Sequence, residues 1–217
     1  IPFENVVLHG LVNDPLGKKM SKSRGNIVNP LELVNQYGAD AVRFALVFGT
    51  ALGNDQVLSY SKLAAMRNFT NKIWNIARFI DIKRETLSPT LPAGRQESEI
   101  LNNLTMEQLK NLVKDKTDKE WVNKTEELVK EVTKYIEKYN FNFAAEKLYE
   151  FIWHQFADIY IEDVKNRIDE NSYLILATLY LILLKLLHPF MPFVTEEIYQ
   201  RFKFGKSIMI ESWPKNE

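Results

Sequence analysis

From residue 61 onward, apolar residues recur every three or four positions, the spacing of a helix that buries one face. The first sixty residues instead mix a short β-like run, a long polar stretch and brief helical segments. In the later part, Leu63, Met66, Phe69, Ile73, Ile76 and Ile80 predict a long helix starting at Ser59 or Ser61. Arg84 to Glu99 gathers Ser88-Pro89, Pro92 and Gly94 and reads as a surface connection. Thr117 with Glu120 fits a capping box, after which Trp121, Leu128, Val132, Tyr135 and Tyr139 share a face and are expected to bury. A helix from about Asn142 to Ile168 presents Leu148, Phe151, Ile152, Phe156 and Ile159. Another runs from Ser172 to His188, before Pro189, and a short one follows Thr195. Ser207 to Trp213 is expected as a strand or an extended strap across an antiparallel helix bundle.

Upstream, Val6-Val7-Leu8 has the pattern of a buried parallel strand that stops at His9-Gly10. Ligands favour such strand ends. Asn13 to Asn29 is polar and without an apolar period. Pro30 then opens a helix at its tolerated first position and Gly38 closes it; Asp40 starts another through Phe48.

Composition removes several functions. The 217 residues hold no Cys and three His, so thiolate metal sites, disulfides and a cysteine nucleophile are excluded and no metal site is expected. Leu174 to Leu187 is too short an apolar stretch to cross a bilayer, which takes about 20 residues, and it carries Lys185; we read it as a core helix, with no membrane partner. Ile1 to Gly10 lacks the features of a signal peptide, and the first residue is not Met, as in a piece of a longer chain. The 28 Lys+Arg balance 28 Asp+Glu overall, but residues 61–95 carry seven basic against two acidic residues, a local excess of +5. On that helix Arg67, Asn68, Asn71, Lys72, Asn75 and Arg78 lie off the apolar stripe. Such groups hold phosphates and read unpaired bases, with Trp74 or Phe79 available to stack on a base or to pack in the core. His154 sits among Phe151, Trp153 and Phe156 as a packing histidine, and Asp158, Glu162 and Asp163 form a solvated acidic face.

The polar stretch contains Gly17-Lys18-Lys19-Met20-Ser21-Lys22-Ser23-Arg24-Gly25-Asn26, four cations in seven residues with hydroxyls and flanking glycines, chemistry suited to a polyanion. The string Lys19-Met20-Ser21-Lys22-Ser23 resembles the signature loop of class I aminoacyl-tRNA synthetases. His9-Gly10, Gly25-Asn26, Pro30 and Tyr37-Gly38-Ala39-Asp40 with Arg43 extend the match. Gly53-Asn54-Asp55, the run Arg67 to Phe79, His188 to Ile198, and Ser207 to Ile210 with Trp213-Pro214 are similar to the valyl members of that family. The resemblance is weakest over Lys83 to Lys138.

It implies a mainly α chain. Residues 1–60 correspond to the last strand, signature loop and connecting helices of a nucleotide-binding α/β domain, and 61–217 to a helical anticodon-binding domain. The implied activity is ATP-dependent activation of valine and its transfer to valine tRNA, by a cytoplasmic, monomeric enzyme that takes magnesium with the nucleotide and binds no DNA. Lys22 is the implied catalytic cation on the ATP phosphates and Lys19 its support. Ser21 and Ser23 are loop donors, and His9-Gly10 lie near the nucleotide, with a structural role for His9 the alternative. The tRNA contacts fall on Arg67, Asn68, Asn71, Lys72, Trp74, Asn75 and Arg78. The family's His-Ile-Gly-His type motif is absent from this sequence, and the amino-acid pocket and editing domain lie upstream in the family's order, so the chain alone is expected not to aminoacylate. An isoleucyl enzyme, a non-catalytic RNA-binding module and a helical protein-interaction domain stand as alternatives. Partial disorder is expected at Val6 to Leu8, beside an unpaired sheet edge.

Overall fold

The computed structural model describes residues 2–87, 101–102, 104–167 and 169–214; the part of the expected connection at 88–100 lies outside them. Helix α1 (Pro30–Tyr37) starts at Asn29, whose side-chain oxygen accepts from the Leu31 N–H, and is followed at once by α2 (Ala39–Val47). The long α3 (Tyr60–Leu87) buries Leu63, Met66, Phe69, Ile73, Ile76 and Ile80, the whole expected stripe. Its first half packs on α2, with the Phe44 and Phe69 rings 5.3 Å apart.

Two strands occur among the described residues. β1 (Val12–Asn13) and β2 (Gln56–Val57) pair in parallel, Val12 opposite Gln56 and Asn13 opposite Val57. The strand expected at Val6-Val7-Leu8 is not formed. Val6 and Leu8 are about three-quarters exposed, and no described strand lies beside them to take up their backbone groups, so their apolar side chains find nothing to bury against. The chain joins the small sheet only after Gly10, which passes so close to Asn54 that an added Cβ would sit 1.9 Å from its carbonyl oxygen. The Leu11 N–H then donates to the Asp55 carboxylate at 2.7 Å. Gly10→Ala is therefore expected to push the two segments apart; faster amide exchange at Gln56, which donates to the Leu11 carbonyl, is the readout, and unchanged exchange would contradict the close approach.

Helix α4 (Met106–Leu112) opens with a reciprocal capping box between Thr105 and Gln108, which the sequence reading missed. The box expected at Thr117 and Glu120 does not form. α5 (Lys116–Glu137) is capped two residues earlier by Asp115, whose carboxylate takes the N–H groups of Thr117 and Asp118, while Glu120 pairs with Lys124. Trp121, Leu128 and Val132 are buried as expected, whereas Tyr139 lies past the helix end at φ 59° and is exposed.

The next rod runs through α6 (Phe141–Glu150), a π-helical stretch (Phe151–Tyr160) and α7 (Ile161–Val164). The wider π turn changes which residues face inward. Phe156 and Tyr160 are fully buried, while Ile159, inward on an α-helical count, is 57% exposed. His154, expected to pack, is turned outward as well, between Glu150 and Asp158. The acidic face is fully engaged: Asp158 with Lys72, Glu162 with Lys165, and Asp163 with Arg167.

α8 (Glu170–Leu187) is long and apolar enough to cross a membrane, yet it forms the centre of the bundle, with Leu176, Leu179, Leu183, Leu184 and Leu186 fully buried. Its Lys185 reaches Glu211 and Asn102. α9 (Pro192–Arg201) begins at Pro192, before Thr195 rather than after it. The tail is a strap with one 3₁₀ turn (Ile208–Ile210), pinned where the Trp213 indole N–H donates to the Thr133 hydroxyl at 2.8 Å.

Candidate functional site

Asp14-Pro15-Leu16-Gly17 is a turn sequence, with Asp to bond the following backbone, Pro to fix φ and Gly for the left-handed position, φ +77°. Asp14 is 5% exposed. One of its carboxylate oxygens accepts from the backbone of Leu16 (3.0 Å) and Lys18 (2.8 Å), and the other from the Asn26 amide (2.8 Å). These bonds, the Asn26 amide's foremost, hold the Asp14 carboxyl below its usual range. Asn26 also donates to the Lys19 carbonyl (3.2 Å) and accepts from the Ser21 N–H (2.9 Å). Between them Lys22–Arg24 makes a 3₁₀ turn that ends on Gly25 at φ +65°.

The Ser21 and Ser23 hydroxyls are 3.1 Å apart. Lys18, Lys19, Lys22 and Arg24 are exposed and form no ion pair among the described residues, so four cations project from a hydrogen-bonded base. Met20 points the other way and packs on the core beside Val12, Val28 and Leu33. The structure thus brings Lys19, Ser21, Lys22 and Ser23 onto one loop. His9 and Gly10 are not among them: they line a separate cavity with Leu46, Asn54 and Asn142, and the exposed His9 ring nitrogen Nδ1 lies 2.8 Å from the Gly10 carbonyl oxygen.

The face of α3 is the second cationic surface. Arg67, Asn68, Asn71, Asn75 and Arg78 are exposed, and at 1.5 Å rise per residue Arg67 and Arg78 stand about 16 Å apart. Arg67 lies over the Tyr37 ring, and Arg78 has no acidic partner among the described residues. Lys72 departs from that face, held 2.7 Å from Asp158 and over the Trp153 ring. Trp74 is half-buried against the core beneath the Arg201 guanidinium, and Phe79 is half-buried between Lys83 and Lys165. Both aromatics follow the packing alternative.

A junction that sequence reasoning missed joins the loop's support to the bundle. Buried Asp40, in the Gly-Ala-Asp segment, accepts from the Phe193 N–H (3.2 Å) and the Val194 N–H (2.6 Å) at the start of α9, while Arg43 donates to the Pro189 carbonyl (3.2 Å). Two segments 153 positions apart in the sequence are thus halves of one clasp, which no local pattern could reveal. Burial raises the Asp40 carboxyl above its usual value against the pull of those two bonds. Beside it His188 shares a 2.7 Å hydrogen bond with Thr195.

Burial also lowers the His188 imidazole from 6.5, more than Glu196 and Asp40 raise it. The neutral ring is favoured in the fold, so its contribution to stability is present above 6.5 and lost as pH falls through the lower folded-state value. Urea unfolding of wild type between pH 7 and pH 5 is expected to show a steeper loss than that of His188→Gln; equal slopes would remove His188 as the cause.

A loop of exposed lysines and hydroxyls above an apolar anchor shares one packed body with an arginine- and asparagine-lined helix, two surfaces whose chemistry suits polyanions. Residues 1–59 match the family model for tRNA synthetases class I (I, L, M and V), and residues 118–217 match that of the anticodon-binding domain of tRNA ligase. The chain belongs to the class I tRNA synthetases. Its curated relatives include valine–tRNA ligases, among them that of Clostridium perfringens, 41% identical over 98% of this chain and 23% of the relative, and that of Streptococcus agalactiae serotype V, 42% identical over 99% and 24%. The chain therefore spans about a quarter of the length of these relatives. A LeuRS–tRNA–LeuAMS ternary complex of Agrobacterium radiobacter K84 shares the fold, with TM-score 0.72 and 24% identity over 95% of this chain and 23% of that one. So does a methionyl-tRNA synthetase of Mycobacterium tuberculosis in complex with methionyl-adenylate, with TM-score 0.62 and 21% identity over 88% and 36%.

Proposed function

We propose that the chain supplies the ATP-phosphate loop and the tRNA-binding helices of a cytoplasmic, monomeric valine–tRNA ligase, with residues 1–60 completing a nucleotide-binding domain and 61–217 forming the anticodon-binding domain. The observation that carries this reading is the pair of cationic surfaces, the signature loop and α3, carried on one packed body: Met20 of the loop packs beside Leu33 and Leu63, and α2 packs on α3 through Phe44 and Phe69. When the valine carboxylate attacks the α-phosphorus of magnesium-bound ATP, negative charge grows on the phosphate oxygens. A lysine aimed there stabilises the transition state more than the bound substrate. Lys22, at the start of the 3₁₀ turn, takes that role, Lys19 supports it, Ser21 and Ser23 donate to the same oxygens, and His9-Gly10 flank the nucleotide. Arg67 and Arg78 hold tRNA phosphates, with Asn68, Asn71 and Asn75 on base edges. Lys72 reaches the RNA on leaving Asp158, and Trp74 supports the helix from within.

The test is a salt-controlled titration against valine tRNA, an anticodon-substituted copy and isoleucine tRNA, since phosphate binding fades with salt while base readout leaves a ratio between RNAs. A preference for valine tRNA that disappears with the anticodon change is expected. A preference for isoleucine tRNA would favour the isoleucyl alternative, and equal affinities at every salt concentration would sink the anticodon reading. With magnesium ATP and valine the chain alone is expected to form no valyl-adenylate.

A further inference from the structure

We infer that Asp14 and Asn26 form a latch that positions the signature-loop cations, making them positioning residues for whatever phosphate the loop engages; the inference rests on the phosphate reading of that loop given above. Lys19 and Lys22 have no ion-pair partner among the described residues, so side-chain contacts do not aim them and their placement falls to the backbone. Of the five hydrogen bonds the two side chains make, four end on backbone groups, those of Leu16, Lys18, Lys19 and Ser21, and the fifth joins Asp14 to Asn26 across the loop. The two latch residues are twelve positions apart. Every backbone anchor except Leu16 is a cation of the loop or lies next to one. Lys22–Arg24 then projects from a base closed on both sides.

The pair is chemically directional. A carboxylate that accepts three bonds faces a carboxamide that donates two and accepts one. Asp14→Asn sets two amide NH₂ groups against each other unless one amide turns. If the Asn26 amide turns, its NH₂ group meets the Ser21 N–H; if the newly introduced amide turns instead, its NH₂ group meets the N–H groups of Leu16 and Lys18. Asn26→Asp sets two carboxylates together. The exchanged pair, Asp14→Asn with Asn26→Asp, reverses the central bond and keeps an acceptor for Leu16, Lys18 and Ser21, losing only the bond to the Lys19 carbonyl.

The experiment reads backbone amide exchange by NMR and the affinity for inorganic tripolyphosphate by calorimetry, in wild type, both single variants and the exchanged pair. Lys18 and Ser21 amides are expected to be protected in wild type. Each single variant should expose them and weaken tripolyphosphate binding about tenfold, the loss of one hydrogen bond to a charged group. Amides of α5 and α8 should be unchanged, and the exchanged pair should return both readouts to within about threefold of wild type. An exchanged pair no better than the single variants, or free exchange of Lys18 and Ser21 in wild type, overturns the latch. Single variants that loosen the loop at unchanged tripolyphosphate affinity reduce it to a structural element and overturn the positioning role. A wild-type chain with protected amides that takes up no tripolyphosphate counts against the phosphate reading instead, and the latch is then judged on exchange and on the exchanged pair alone.

Discussion

Replacing Arg67 and Arg78 together by alanine is expected to weaken valine tRNA binding about 100-fold at low salt, roughly tenfold for each lost phosphate contact. Both guanidinium groups are exposed on one face of α3, and neither has an acidic partner among the described residues whose release would offset the loss. The diagnostic is the salt slope. Each phosphate contact removed should flatten the dependence of log affinity on log salt by about 0.7 to 0.9, so the double variant should lose roughly 1.5. Lys72→Ala is the internal control: its ammonium is already 2.7 Å from Asp158, and its loss should change the slope less than either arginine's. A double variant with wild-type affinity and slope would move the RNA-binding surface elsewhere on the bundle.

Arg167→Ala is expected to cost about 3–5 kcal/mol of folding free energy, the penalty of leaving a buried charge without its partner. Asp118 is 0% exposed, at the first turn of α5, and the Arg167 guanidinium spans its two oxygens at 2.8 and 3.1 Å. The Tyr160 hydroxyl adds a third bond at 2.9 Å, and burial beside that carboxylate pushes the phenol well above its usual value. Arg167 also bonds Asp163 on its own rod and lies 3.7 Å from Asp115, so one side chain joins the end of the π-containing rod to the start of α5. Urea denaturation measures the loss. Asp118→Leu combined with Arg167→Met should recover most of it, because an apolar pair of similar volume pays no desolvation penalty. A double variant as unstable as the single one would mean that the site contributes packing rather than charge compensation.

The helices were legible because each buries a face of its own residues. The stripe of α3, the start of α1 at Pro30 and its stop at Gly38, and the core character of α8 all follow from residues within a single segment. The π-helical stretch was not legible, since the inward shift from Ile159 to Tyr160 arises in the packing of that rod against its neighbours. Val6-Val7-Leu8 has strand composition, but a strand needs a neighbour, which composition cannot supply. Within the signature loop the cations and hydroxyls were readable as residues. Asp14, which fixes them, could have been suspected from its turn sequence, though not its bond to Asn26.

By itself the sequence determined which residues could meet a polyanion, Lys19, Lys22, Arg67 and Arg78 among them, and that most of the chain is helical, since both depend on chemistry and periodicity local to a segment. The tertiary structure alone decided which of these residues are free and which are engaged. Lys72 is bound to Asp158, Trp74 lies under Arg201, and Asp40 caps a helix that begins 152 residues later. The physical reason is that a partner across the fold is chosen by long-range packing, and the residues that make such a contact carry no mark of it in their own neighbourhood.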